Sequence, residues 1–128
     1  MKSKMKKFTL LIFASIVLSL DLFAQGKWTI SNVPASLGRI EDLFMIDAQT
    51  GYAACGSGQI LKTSDGGNNW LTIYNNSVTN RSIEFINSQK GFVGALDYSQ
   101  PSFDILMRTL DGGSSWTDVT LLIMKFRE

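Results

Sequence analysis

The sequence predicts an all-β fold made of two four-stranded units and one additional strand. Three observations lead to this prediction. A pattern of about 40 residues occurs twice along the chain. Each copy divides into short segments rich in β-branched and aromatic residues, which glycine, asparagine, aspartate and serine separate. After residue 24, no segment sustains the 3.6-residue hydrophobic periodicity of a helix.

Residues 1–24 precede the repeats and have the composition of an export signal. Four lysines among the first seven residues are followed by an apolar run from Phe8 to Leu20, and then by Ala24. This order of basic, apolar and small residues predicts a secretory signal peptide cleaved after Ala24, and an uncleaved N-terminal anchor is the alternative. The apolar run is shorter than the roughly 20 residues that cross a bilayer. The processed chain, residues 25–128, is therefore expected to be secreted, periplasmic or at the cell surface, without a membrane span.

Composition excludes several functions. Without its first 24 residues the chain has 8 basic and 10 acidic residues, a net charge of −2, which argues against nucleic-acid binding. The absence of histidine excludes a histidine base, a histidine-ligated zinc and a histidine pH switch. Cys55, the single cysteine, cannot form an intrachain disulfide and is predicted to be a buried strand residue.

The repeat has two parts with different offsets. Residues 46–53 match residues 86–93 at an offset of 40, and residues 61–70 match residues 107–116 at an offset of 46. The six extra residues of the second unit fall around 97–102, where a loop is predicted. Because inserted loops on repeat scaffolds often carry binding, the segment from Tyr98 to Phe103 is the predicted contact surface.

The strand predictions follow the repeat. They lie near residues 42–46, 52–55, 59–63 and 70–74 in the first unit, and near 82–86, 92–96, 104–109 and 116–123 in the second. Such a unit has the length of a β-propeller blade, so residues 25–128 are predicted to be a partial propeller with blades at 39–74 and 81–123. Trp28-Thr29-Ile30 resembles the start of the fourth strand in each unit and is predicted to be an orphan outer strand.

Both units contain the pattern Thr-x-Asp-Gly-Gly-x-x-Trp. The aspartate can accept hydrogen bonds from the N–H groups after it, the threonine can join the same network, and the glycines can adopt positive φ. The tryptophan supplies an apolar plate under the turn. We therefore predict a structural role, and neither a catalytic, a cofactor-binding nor a metal-binding one, for Thr63, Asp65, Gly67, Trp70, Thr109, Asp111, Gly113 and Trp116. Calcium binding is the alternative, although each loop offers a single carboxylate.

The pattern resembles the Asp-box, also called the bacterial neuraminidase repeat. The longer sequence from Asp47 to Ala53, followed by residues 56–70, resembles the repeat of the photosystem II stability and assembly factor family of propellers. Similar repeats occur in many secreted bacterial proteins, and the resemblance covers about residues 28 to 120. It implies a propeller that acts as a non-catalytic recognition or assembly module, with a protein or glycan partner that the sequence does not identify.

The alternative function is a portion or remnant of a glycan-processing enzyme, because Asp-boxes also occur in sialidases. Sialidases resemble one another in an arginine cluster, whereas Arg39, Arg81, Arg108 and Arg127 lie at different points of this repeat. No pair of carboxylates stands out as a glycosidase pair. We predict that the chain is not an enzyme. A third interpretation is a fragment without a function of its own.

The number of units predicts self-association. Two units leave two outer apolar faces, and the sequence shows no polar cap for either. Two or three chains are therefore expected to associate and complete a propeller.

Overall fold

The computed structural model describes residues 29–99 and 104–121, which contain eight strands. The first sheet consists of β1 (Ile40–Met45), β2 (Gly51–Cys55), β3 (Gln59–Thr63) and β4 (Leu71–Asn75). The second consists of β5 (Thr79–Phe85), β6 (Gly91–Leu96), β7 (Asp104–Thr109) and β8 (Thr117–Asp118). Each is an antiparallel meander in chain order, within the compact unit Ser31–Glu128. This confirms the predicted all-β fold with two four-stranded propeller blades.

The predicted orphan strand is not present at Thr29 and Ile30, which pair with no strand among the described residues, and Trp28 lies outside the described residues. The strand-like contact begins further along, at Asn32. Its N–H donates to the carbonyl of Asn68 over 2.8 Å, and its carbonyl accepts from the N–H of Trp70 over 2.9 Å. The result is an isolated parallel bridge between Asn32 and Asn69. The similarity of Trp28-Thr29-Ile30 to the fourth strands therefore predicted this contact at the wrong residues.

The last strand is shorter than predicted. It ends at Asp118, and Thr120 and Leu121 are helical, so the strand prediction over 116–123 is wrong at these two residues. The carboxylate of Asp118 accepts hydrogen bonds from the N–H and the hydroxyl of Thr120, over 2.8 and 2.5 Å. Such local side-chain bonds compete with the sheet ladder. Residues 122 and 123 lie outside the described part of the chain.

The main core lies between the two sheets. Alternate residues of a strand point to opposite sides, so each sheet has two faces. We call the face that carries Tyr52, Ala54 and Ile60 the front face of the first sheet. It packs against a set of side chains on the back face of the second sheet, which comprises Ile83, Phe85, Val93, Ala95 and Met107. The ring of Tyr52 stacks on that of Phe85, with 3.9 Å between centroids.

Three hydrogen bonds join the sheets across this core. The hydroxyl of Tyr52 donates to the carbonyl of Gly112 over 2.8 Å. The side-chain amide of Asn80, which is fully buried, donates to the carbonyl of Gln59 over 3.1 Å. The carboxylate of Asp42 accepts from the N–H of Ile83, on the free edge of β5, over 2.9 Å. These bonds fix the register of one sheet against the other.

A second, smaller cluster covers the back face of the first sheet. Leu37 packs there with Ala53, Cys55, Leu61 and Trp70, and all five are buried. The predicted burial of Cys55 on a strand is confirmed, and burial raises the pKa of its thiol. The segment before β1 therefore covers part of a face that the sequence predicts to be open, because Leu37 lies outside the repeat. Leu43 and Met45, on the same face, remain exposed.

Candidate functional site

The first Thr-x-Asp-Gly-Gly-x-x-Trp segment forms a closed hydrogen-bonded turn between β3 and β4. The hydroxyl of Thr63 donates to the carboxylate of Asp65 over 2.9 Å and accepts from the N–H of Gly67 over 3.0 Å. The carboxylate also accepts from the backbone N–H and side-chain amide of Asn69, over 2.9 and 2.7 Å. The indole N–H of Trp70 donates to the carbonyl of Gly67 over 3.1 Å. We call this arrangement the Asp-Gly-Gly turn.

The second Asp-Gly-Gly turn, between β7 and β8, repeats the first. Thr109 donates to Asp111 over 2.8 Å and accepts from the N–H of Gly113 over 2.9 Å, and Trp116 donates to the carbonyl of Gly113 over 3.1 Å. Ser115 takes the place of Asn69 and donates from its N–H and hydroxyl, over 2.9 and 2.6 Å. These hydrogen bonds, that of the Ser115 hydroxyl first, lower the pKa of Asp111 to about 2.

The same bonding pattern lowers the pKa of Asp65, chiefly through the side chain of Asn69. Both carboxylates are therefore occupied by donors of their own turn. Among the described residues there is no group of three or more histidine, cysteine, aspartate or glutamate side chains able to hold a metal ion. All eight predicted residues take part in the hydrogen bonds of the two turns, and their structural role stays a prediction.

A different set of side chains forms a polar surface where β1 and β5 begin. The guanidinium of Arg39 donates to both carboxylate oxygens of Glu41, over 2.9 and 3.0 Å. Arg81, from the second sheet, approaches the same carboxylate at 3.2 Å and donates to the hydroxyl of Tyr98, also over 3.2 Å. We call Arg39, Glu41, Arg81 and Tyr98 the arginine edge.

The charges of the arginine edge do not cancel. Two guanidinium groups share one carboxylate, which leaves one net positive charge. The hydrogen bond from Arg39 lowers the pKa of Glu41, and the charges of Arg39 and Arg81 lower it further. The hydrogen bond with Tyr98, followed by the charge of Glu41, raises the pKa of Arg81. All three ionic groups therefore stay charged near neutral pH.

The surface has room for a ligand. The side chain of Glu41 is 14% exposed, whereas those of Arg39 and Arg81 are 73% and 39% exposed. A cavity of about 380 Å³ adjoins them, and Gly56 forms part of its wall. A Cβ atom at Gly56 would lie 2.9 Å from a carboxylate oxygen of Glu41, so a side chain there would displace the carboxylate. The arrangement can bind a carboxylate or a carbonyl through the exposed guanidinium groups.

Comparison with known proteins places the chain in a family. Residues 20–124 match the model of the family described as photosynthesis system II assembly factor YCF48. The chain belongs to this family. No curated protein matches its sequence.

The YCF48 fold also appears among solved structures similar to the chain. A structure described as "YCF48 bound to D1 peptide" superposes with a TM-score of 0.56 and 22% sequence identity. The match covers 73% of this chain and 31% of the other, so the chain spans about a third of that protein's length. The predicted resemblance to the photosystem II assembly factor repeats is thereby confirmed. The matched structure is a complex with a D1 peptide.

The sequence interpretation of this YCF48-family chain missed the arginine edge. Arg39 and Arg81 lie at different points of the repeat, but the structure brings them to one carboxylate. The repeat offset of 40 indicates this contact, since Glu41 and Arg81 occupy equivalent positions of the two units and have opposite charge. Equivalent positions of consecutive blades are neighbours. Of the predicted contact loop, Tyr98 joins the arginine edge, whereas residues 100–103 lie outside the described residues.

Proposed function

We propose that the chain is a non-catalytic binding module of the YCF48 family that acts outside the cytoplasm on a protein partner. The arginine edge carries this proposal, because it presents two exposed guanidinium groups beside a cavity. Such groups recognise carboxylates by paired hydrogen bonds, which suits an acidic peptide segment. The similar YCF48 structure is a complex with a D1 peptide, which supports a peptide as the kind of ligand.

An extracytoplasmic location rests on the basic and apolar composition of residues 1–24, which is typical of a signal peptide. Among the described residues, no helix is long and apolar enough to cross a membrane. Expression with the leader, followed by fractionation and mass determination, tests the location. Recovery outside the cytoplasm with Gln25 as the first residue is the expected result, and retention of the full-length chain in the cytoplasm would contradict it.

The absence of catalysis is part of the same proposal. The described arginines divide between two places, with Arg39 and Arg81 at the arginine edge and Arg108 on β7. Glu41 is bound by both arginines of the edge, so its low pKa opposes a role as a general acid. Incubation of the purified chain with fluorogenic sialosides and β-glucosides should give no turnover that a point mutation removes.

Selection from a displayed library of random peptides tests the binding function. The chain serves as bait, and Arg39→Ala/Arg81→Ala serves as counter-bait. We expect enriched peptides to carry aspartate or glutamate, and calorimetry to show at least about ten-fold weaker binding to the double variant. A ten-fold loss corresponds to about 1.4 kcal/mol. Lys90→Ala, on an exposed turn, is the matched control and should bind as the unaltered chain does.

Enrichment of peptides without acidic residues, or equal binding by the double variant, would contradict the role of the arginine edge. Self-association belongs to the proposed function as well, since Leu43 on the first sheet and Phe92 on the second leave apolar surface exposed among the described residues.

A further inference from the structure

Two members of the arginine edge lie at irregularities of the strand pairing. The register of β1 with β2 shifts at Glu41, and the register of β5 with β6 shifts at Arg81, so each strand has one extra residue there. Such a β-bulge removes the residue from the ladder and re-aims its side chain. Because the two bulges are 40 residues apart, which is the repeat offset, each sheet presents one charged side chain at the same place.

Glu41 is the least exposed ionic group of the arginine edge, and both guanidinium groups lie against its carboxylate. It accepts hydrogen bonds from Nε and one terminal nitrogen of Arg39. A terminal nitrogen of Arg81 lies 3.2 Å from the same carboxylate. An anion that the two guanidinium groups bind would therefore lie close to the negative charge of Glu41 as well.

The contacts with Glu41 leave part of each guanidinium group for a ligand. The second terminal nitrogen of Arg39 and the Nε atom of Arg81 make no hydrogen bond with another described residue. Each of these nitrogens carries at least one N–H donor, and both side chains are exposed. Glu41 therefore does not close the site, and its charge acts on whatever anion enters.

The carboxylate of Glu41 sets the charge that such an anion meets. The two arginines alone would present two positive charges, and with Glu41 ionised the sum is one. Repulsion between Glu41 and an anion is proportional to the charge of the anion, so it is about twice as large for a phosphate dianion as for a carboxylate at the same distance. Glu41 therefore opposes dianions more strongly than monoanions.

We propose that Glu41 is a specificity-determining residue of the arginine edge, which makes the site discriminate against doubly charged anions and in favour of carboxylates. This rests on the proposed function, because it names the charge of the ligand at the same site. The carboxylate of an acidic side chain fits this charge, whereas a phosphorylated side chain is disfavoured.

NMR titration of the guanidinium Cζ signals of the purified chain tests the role of Glu41. The probes are acetate and inorganic phosphate at about pH 8, where phosphate is doubly charged, and at constant ionic strength. We expect both anions to shift the signals of Arg39 and Arg81, which are assigned with the two single alanine variants. Glu41→Gln should raise the affinity for phosphate relative to that for acetate by at least about five-fold, because it relieves twice the repulsion for the dianion.

Glu84→Gln is the matched control, because it removes the same charge from an exposed position of β5 and should leave the ratio of the two affinities unchanged. Glu41→Ser, a second uncharged variant, should change the ratio in the same direction as Glu41→Gln. Glu41→Asp keeps the charge and should therefore have a ratio closer to that of the unaltered chain. Circular dichroism melts establish that each variant is folded.

An unchanged ratio in the uncharged variants of Glu41, an equal change in Glu84→Gln or in Glu41→Asp, or arginine signals that neither anion shifts would each overturn the role of Glu41. Failure of the proposed function is a separate result. Binding of acidic peptides with an unchanged ratio in Glu41→Gln would refute the role of Glu41 alone. A changed ratio without any enriched acidic peptide would refute the peptide ligand and leave the role of Glu41 intact.

Discussion

Thr63 and Thr109 are the most buried polar members of the two Asp-Gly-Gly turns, although aspartate defines the sequence pattern. Each is 1% exposed, and each hydroxyl accepts the N–H of a glycine while donating to the aspartate. Asp111, in contrast, is exposed. The sequence indicates which residues form the turn, but not which of them is removed from water. Burial depends on the neighbouring strands, which the pattern does not include.

Thr109→Val should destabilise the second sheet by about 1–3 kcal/mol, because the variant keeps the shape but leaves the N–H of Gly113 without its acceptor and removes one donor to Asp111. Thr109→Ser keeps the hydroxyl and should recover most of the loss. Urea denaturation measures both, with Thr117→Val on the exposed part of β8 as the control. Equal midpoints for Thr109→Val and Thr117→Val would contradict the role of the hydroxyl.

The ionisation of Asp111 should make the stability of the folded chain depend on pH. Its folded-state pKa, about 2, lies below the ordinary value of 3.8, so the folded chain favours the ionised form. The contribution of this carboxylate is therefore complete above about pH 4 and is lost as the pH falls towards about 2. NMR titration of the Asp111 carboxyl checks the folded-state value. A midpoint near 4 would show that the Ser115 bonds do not form in solution.

At the scale of strands and sheets, the contact between the two sheets combines a stacked aromatic pair with buried hydrogen bonds. The hydroxyl of Tyr52 reaches the turn after β7, so a single bond connects the first sheet to the second Asp-Gly-Gly turn. Tyr52→Phe should keep the ring stacked on Phe85 and leave the buried carbonyl of Gly112 without a donor. We expect a loss of about 1 kcal/mol in the free energy of unfolding.

Tyr74→Phe is the control for this change, since Tyr74 belongs to the same core and its hydroxyl bonds to no other described residue in the structure. Thermal melts of the two variants decide the matter. A larger effect from Tyr74→Phe would mean that the Tyr52 hydroxyl does not contribute to the contact between the sheets.

The strands that the repeat predicts are present, because the alternation of apolar residues within a strand and the turn residues between strands are both local properties of the sequence. The two errors occur where the chain leaves the repeat. Asn32, and not Trp28 to Ile30, meets the first Asp-Gly-Gly turn, since a bridge of one residue has no periodicity to detect. Asp118 ends β8 by bonding Thr120, and Leu121 resembles a strand residue in composition alone.

At the scale of the whole chain, the two sheets have unequal outer faces. Leu37 covers the two central strands on the back face of the first sheet, where Leu43 and Met45 of β1 stay exposed, and the front face of the second is half-exposed. The sequence suggested equal faces, because the two copies carry similar strands and the covering residue lies between the predicted outer strand and the first unit. The arginine edge escaped prediction for a related reason, since it needs two neighbouring blades to assemble one site.

Leu37→Ala should destabilise the first sheet by about 2–5 kcal/mol, because it removes a buried side chain and opens a cavity beside Trp70. It should also increase self-association, since more of the apolar surface of the first sheet becomes accessible. Leu71→Ala, at a position that is 71% exposed, is the control. Size-exclusion chromatography together with denaturation measures both effects, and an unchanged profile for Leu37→Ala would show that this segment does not cover the sheet.

The carboxylate of Asp42 has a consequence for solubility. Its two oxygens accept from the N–H of Leu43 and from that of Ile83, which lies on the outward edge of the neighbouring sheet. Free strand edges are templates on which other chains polymerise into fibrils. By occupying the amide at the middle of β5, Asp42 obstructs such templating from within the folded molecule. We therefore expect the Asp42→Ala chain to nucleate amyloid-like fibrils sooner, because the N–H of Ile83 would be free to pair with an added strand.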